Sequence, residues 1–126
     1  MTKLQQTRNH KIFLAELSGN TLVVHPQGDA AGFRHADIAN ELKTLLAIVD
    51  DPQVVNLVVD FGRANYFGSL VIGAVNNLGV KVRNAGGRIG ICDTSDEMLE
   101  ALRVLKLDAI WTQYDSVKSA IKAFKS

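Results

Sequence analysis

The sequence predicts one α/β domain: a mixed, mostly parallel β-sheet opened by an N-terminal β-hairpin and covered by four amphipathic helices. Three observations carry this. Short runs rich in valine and isoleucine alternate with longer segments whose apolar residues recur at helical steps of four and three. One run, Val54 to Phe61, is almost continuously apolar and holds four valines, as a strand buried on both faces of a parallel sheet requires. The length, 126 residues with 47% apolar composition, suits one hydrophobic core and is too short for two.

Taken in order, residues 1–10 read as a polar, flexible extension ahead of a core from about 11 to 125, and no linker or repeat divides the chain. Ile12 to Leu17 and Thr21 to Gln27 form the expected hairpin, because Gly19 and Asn20 accept the positive φ of a tight turn. Ile38, Leu42, Leu45 and Val49 lie on one face of a first helix that Asp50-Asp51-Pro52 ends. Val71, Val75, Leu78 and Val82 repeat that spacing in a second helix from Ser69 to Ala85, with Gly86-Gly87 as its stop. Arg88 to Cys92 is a strand. Asp93, Thr94 or Ser95 caps a third helix facing inward through Met98, Leu102 and Leu105. Ala109 to Gln113 is the last strand, and Asp115 or Ser116 caps a final helix carrying Val117, Ile121 and Phe124 on one side. Strands alternating with helices imply right-handed parallel crossovers.

Composition also narrows function. Fourteen basic against thirteen acidic residues, scattered along the chain, lack the positive field of a nucleic-acid binder. No apolar run approaches the length needed to span a bilayer. The polar N-terminus and the single cysteine fit an unprocessed cytoplasmic protein without disulfides or a Cys-rich metal site. No cofactor, metal or catalytic residue is expected. Gly28-Asp29-Ala30-Ala31-Gly32 matches neither phosphate-binding loop spacing and reads as a plain loop. His10, His25 and His35 are not spaced as metal ligands and read as surface or partly packed residues. Cys92 belongs to core packing. Ser69 lacks the second glycine of a hydrolase elbow.

Ser69 is nevertheless the most informative position, since Tyr66-Phe67-Gly68-Ser69 joins the buried strand's exit to a helix start. Serine there reads both as a helix cap and as an exposed hydroxyl. At 100° per residue, Ser69, Ile72, Gly73, Asn76, Val80 and Arg83 fall opposite the apolar face. That outer face is short of charge, so Gly68, Ile72, Gly73, Asn76 and Val80 are expected to contact a partner around Ser69.

These residues carry a family resemblance. Val58-Val59-Asp60-Phe61, then Tyr66-Phe67-Gly68-Ser69 opening a helix, then Ala85-Gly86-Gly87-Arg88-Ile89-Gly90-Ile91-Cys92 before a leucine-rich helix, resemble the STAS domains, the family of anti-sigma factor antagonists. The resemblance spans about Phe13 to Phe124. It implies a bacterial signalling domain, not an enzyme, that regulates transcription by binding a protein partner. The partner implied is a serine kinase that also acts as an anti-sigma factor; it phosphorylates the serine at the matching position, Ser69, and a phosphatase reverses the modification. Family members that are phosphorylated carry an Asp before that serine and a small residue after it, where this chain has Gly68 and Leu70. Their acidic residue shortly after the glycine that follows the second strand is also displaced, to Asp29 behind Gly28. The alternative the family offers is a module that senses a small ligand or scaffolds an assembly, self-association included, without phosphorylation.

Overall fold

The computed structural model describes residues 2–27, 34–63 and 67–125. Its five strands, β1 (Phe13–Ser18), β2 (Thr21–Pro26), β3 (Asn56–Asp60), β4 (Ile89–Cys92) and β5 (Thr112–Tyr114), form one sheet in that spatial order. β1 and β2 pair antiparallel, from Phe13 opposite Pro26 to Ser18 opposite Thr21, and Gly19 takes the positive φ of +59° at the turn. The remaining neighbours are parallel. The helices are α1 (Lys3–Gln6), α2 (His35–Val49), α3 (Ser69–Asn84), α4 (Asp96–Val104) and α5 (Val117–Phe124).

Strand alternation divides the interior. Leu22, Val24, Leu57, Val59, Ile89 and Ile91 face the larger core with α2, α3 and α4, through Leu45, Val71, Val75, Leu78, Met98 and Leu102. Val23, Val58 and Cys92 face the other way onto Ala120 of α5, flanked by Val117, Ile121 and Phe124. The expected mixed sheet, hairpin and four long helices are therefore all present.

Three features differ from the sequence reading, each for a local reason. Residues 3–9 are helical rather than an extension: Thr2 and Gln5 form a capping box, Leu4 packs on the core and Thr7 is buried. A buried carboxylate anchors the following segment, because Glu41 of α2 accepts the backbone N–H groups of Lys11, Ile12 and Phe13 at 2.9–3.0 Å. Leu105 does not face inward but is half exposed, since α4 stops at Val104. Lys106 then turns with φ +61°, and Leu107 packs on the core in its place. The last strand begins at Thr112, not Ala109. The N–H groups of Ile110 and Trp111 both bond the Leu107 carbonyl, a turn that lays the Trp111 ring where a side chain at Gly79 would stand.

Glu41→Ala strips three backbone donors of their shared acceptor, two of them in buried bonds. The expected loss is about 3 kcal/mol or more of unfolding free energy, read by urea denaturation. A loss below about 1 kcal/mol would show that water replaces the carboxylate.

Candidate functional site

α3 sits between two neighbours. Ile38 of α2 flanks it on one side, Met98, Leu102 and Trp111 share its core on the other, and its Val71, Val75, Leu78 and Val82 are buried as the heptad-like spacing requires. The buried arc is consequently wider than one stripe and takes in Ile72, which is only 4% exposed. Ile72 is thus corrected from a partner-contact residue to a core residue. A helical wheel drawn from one sequence places a side chain on a face, but it does not show that the Trp111 ring covers the flank of α3 at Gly79, two turns from Ile72. Of the other outer positions, Ser69, Gly73 and Val80 are exposed, while Gly68 and Asn76 are half-buried. Leu70, not singled out from the sequence, is 46% exposed beside them.

The start of α3 corrects a second expectation. The N-cap is Gly68, extended at φ −68° and ψ 161°, and Ser69 is the first helical residue, so its hydroxyl does not cap the helix. The helix therefore has no side-chain cap and no acidic residue in its first turn. The other helices each have at least one of these: Thr2 caps α1, Asp37 lies in the first turn of α2, Ser95 caps α4 and Ser116 caps α5. The first-turn N–H groups and the positive end of the dipole at α3 thus have no acidic or capping side chain of their own. Beside Ser69 runs a shallow groove of about 400 Å³ between α2 and α3, lined by His35, Ile38, Leu42, Leu70, Gly73 and Asn77 among others. Tyr66 and the Gly28-to-Gly32 segment, with Asp29, lie outside the described residues.

The histidines and the cysteine fall elsewhere. His10 is partly packed, its Nδ1 2.9 Å from the Phe13 carbonyl and 3.5 Å from Glu41; His35 is exposed at the start of α2. Cys92 is fully buried beside Val23, Val58 and Ala120. Burial pushes its thiol far up, with the charges of Asp60 and Asp93 acting the same way, the setting of an inert cysteine. The sequence reading missed what His25 touches. Its Nδ1 lies 2.9 Å from Asp60 Oδ2 and its Nε2 3.2 Å from Glu16 Oε1. Strand alternation held the signal: His25 and Asp60 each stand two residues beyond a buried valine, Val23 and Val58, that faces α5. Asp60, Cys92 and Asp93 also bring ligand-type atoms within 4.8 Å of one another, the one such group among the described residues.

The family model for the STAS domain matches residues 13–120. The chain belongs to the STAS domain family. Solved structures agree on the fold. An anti-sigma-factor antagonist (STAS) domain protein from Planctomyces limnophilus superposes with a TM-score of 0.75 at 20% identity, over 90% of this chain and 98% of that one. Phosphorylated SpoIIAA, a Bacillus cell fate determinant, gives 0.69 at 17% identity over 88% and 97%. A variant of RsbS from Moorella thermoacetica gives 0.74 at 12% identity over 88% and 92%. A comparison with curated protein sequences found no significant match. This STAS domain thus resembles the anti-sigma factor antagonists along nearly its whole length, and among its described residues no helix is long and apolar enough to cross a membrane.

Because Ser69 caps nothing, Ser69→Ala is expected to shift unfolding free energy by less than about 0.5 kcal/mol. Ser95→Ala, which removes an acceptor 3.1 Å from the Met98 N–H, should cost about 1 kcal/mol. Urea denaturation of the two variants side by side checks the contrast. Equal losses would return the cap to Ser69.

Proposed function

We propose that this STAS domain is a non-enzymatic signalling module that docks a kinase-type regulator on the start and outer face of α3, and that phosphorylation of Ser69 switches the contact. One observation carries the reading: Ser69 presents an exposed hydroxyl at the first position of the helix that lacks both a cap and an acidic first turn. A phosphoryl group placed there, taken from the regulator's nucleoside triphosphate, adds a charge of about −1.5 to −2 with three acceptor oxygens. The helix end accommodates that charge through its free N–H groups and dipole. The fold is the one solved for SpoIIAA in both unphosphorylated and phosphorylated forms, which supports a modification that leaves the domain intact.

The partner would feel the charge instead. Around Ser69 the surface is made of Leu70, Gly73, Asn76 and Val80, with Val80 43% exposed. An apolar surface pressed against these residues excludes water, and a phosphate at its rim must then be desolvated without a partner. Reversible phosphate therefore spoils the interface while sparing the fold, and removal by a phosphatase restores it. Gly68 and Leu70, in place of the acidic and small residues of phosphorylated relatives, fit a regulator that recognises the helix start by shape more than by charge. The domain would act in the cytoplasm, where such regulators and their nucleotides are found.

Phosphopeptide mass spectrometry on the protein isolated from its own cells tests the switch. Trypsin releases residues 64–81 as one peptide, in which Ser69 is the only serine or threonine. Phosphate on that serine in some growth states is the expected outcome. Ser69 unmodified in every growth state would overturn the switch and leave a constitutive scaffold or ligand-sensing module. Once the regulator is identified, Val80→Glu should weaken its binding at least tenfold without loss of fold, since it places an unpaired charge in the contact.

A further inference from the structure

β1 lies at one edge of the sheet, with β2 as its only strand neighbour. Its hydrogen-bond phase is fixed at both ends. The Gln27 N–H donates to the Ile12 carbonyl at 2.7 Å, and a turn of Gly19 and Asn20 joins Ser18 to its opposite, Thr21. Opposed residues in an antiparallel ladder alternate between bonded and non-bonded pairs. Leu14, Glu16 and Ser18 therefore turn their main-chain groups toward β2, while Phe13, Ala15 and Leu17 turn theirs outward. Pro26, which has no N–H to give, stands opposite Phe13 in a non-bonded pair, as that phase requires. The outward groups are not all open. Glu41 accepts the Phe13 N–H at 2.9 Å, and the Phe13 carbonyl lies 2.9 Å from His10 Nδ1. Among the described residues, nothing takes the N–H or C=O of Ala15 or Leu17.

Sheet edges are ordinarily closed by proline, lysine, a bulge or a very short strand. The opposite edge, β5, has only three residues, whereas β1 has six in unbroken register with no proline or lysine among them. The open half of β1 is also flanked by a cavity on each face. On the α2 side, about 440 Å³ is lined by Leu4, Leu17, Ala47, Ile48 and Val54 among others. On the α5 side, about 550 Å³ is lined by Glu16, Leu17, Val23, Val117 and Lys118 among others. Leu17 lines both, so a strand laid along this edge would send successive side chains toward one cavity and then the other.

We propose that the outer edge of β1 from Ala15 to Leu17 is a strand-addition site for an extended segment of a partner protein in which a basic residue stands between two apolar ones. In antiparallel pairing, bonded pairs at Ala15 and Leu17 set the two apolar residues on the α2 side. The residue between them then lies directly opposite Glu16 on the α5 side. The Glu16 side chain is 62% exposed; its Oε1 lies 3.2 Å from His25 Nε2, and its Oε2 bonds nothing among the described residues. A cation across from it therefore meets an open acceptor, and Lys118 in the same cavity forms no ion pair with it. A second copy of this chain fits less well. Two β1 strands related by a two-fold axis can bond Ala15 of each to Leu17 of the other only by setting Glu16 against Glu16, a like-charge pair. A register centred on Ala15 needs the Phe13 groups that Glu41 and His10 hold, and one centred on Leu17 runs Ala15 into the turn at Gly19. The edge is separate from the outer face of α3, and its use does not depend on phosphate at Ser69.

The test is NMR on the isotope-labelled full chain, with a short capped peptide alternating valine and arginine as the probe. At saturation the peptide is expected to slow hydrogen exchange of the Ala15 and Leu17 amides at least about tenfold, with the largest shifts in β1. A valine–glutamate peptide of the same length should bind at least about tenfold more weakly, because it sets a like charge against Glu16. N-methylation of the valines removes the donors that face β1 and should abolish the protection. Ala15→Pro removes an outward N–H that β2 does not use, so it should fold and lose the peptide. Unprotected Ala15 and Leu17 amides at about millimolar peptide overturn the proposal, as do equal binding of the two peptides or shifts centred on the groove between α2 and α3. Light scattering that shows a dimer, with these amides protected in the absence of peptide, would also overturn it by giving the edge to a second copy. If Ala15→Pro does not fold, the N-methylated peptide decides alone on the wild-type chain.

Discussion

The architecture depends on burying β3 from both sides. Leu57 and Val59 face the larger core and Val58 faces α5, all three without solvent exposure. A strand apolar on both faces cannot sit at a wet sheet surface, so helices must cover each side and the strands around it must be joined by crossovers. β2 and β4 accept the same arrangement through Leu22, Val23 and Val24 and through Ile89, Ile91 and Cys92. Once three parallel strands are stacked this way, their C-terminal ends lie together, and the connections to α3 and α4 start from the same end of the sheet. Both the phosphorylation candidate and the His25–Asp60 contact follow from that placement, one beyond the sheet on the α3 side and the other on the α5 side.

The second determinant is the asymmetry of α3. Its inner arc is held between α2 and the Met98–Leu102–Trp111 side of the core, which fixes the helix axis firmly enough that Gly79 leaves no room for a side chain beneath Trp111. Its outer arc does little for stability: Gly73 has open space where a side chain would stand, and Val80 and Leu70 remain exposed. Gly73 in the middle of a helix costs roughly 0.5–1 kcal/mol relative to alanine. A fold selected for stability alone would place alanine there and charge at position 80; the small and apolar surface is what the docking contact proposed above would use. The uncapped N-terminus belongs to the same pattern, because a capping side chain at position 68 would satisfy the N–H groups that the proposed phosphate would use.

Periodicity makes most of the fold legible in the sequence. Runs such as Val71, Val75, Leu78 and Val82, or the valines around Leu57, report burial because transfer from water acts on each side chain separately and repeats with the backbone period. What periodicity does not report is anything set by a neighbour distant in sequence. Ile72 is buried because it lies two turns from Gly79, on the flank of α3 that the Trp111 ring covers, and Leu105 is exposed because Lys106 turns the chain and Leu107 takes the inward place. The placement of residues 11–13 depends on Glu41, some thirty residues away, reaching back to three backbone donors. Ser69 reads as a cap by residue type, yet Gly68 provides the extended backbone, and the hydroxyl one position later points to no helix donor. The element order is legible, and so is Ser69 as the first residue of α3; which residue caps that helix is not.

The same reasoning explains why the contact between His25 and Asp60 is hidden in the sequence. No local motif links residues thirty-five apart, and each alone reads as the polar end of an apolar strand. Parallel register decides the matter: Val24 opposite Val59 and Val59 opposite Ile91 set the two strand ends level with the end of β4. A histidine and two aspartates then meet where the parallel strands finish, on the side away from Ser69. Both of His25's nitrogens and both of Asp60's oxygens are engaged there, so the end of β3 is fixed by polar contacts where the apolar ladder stops. The segment that leads to Ser69 leaves from this fixed point, at Gly62. Ser69 and the His25–Asp60 contact thus stand on opposite faces of one sheet end.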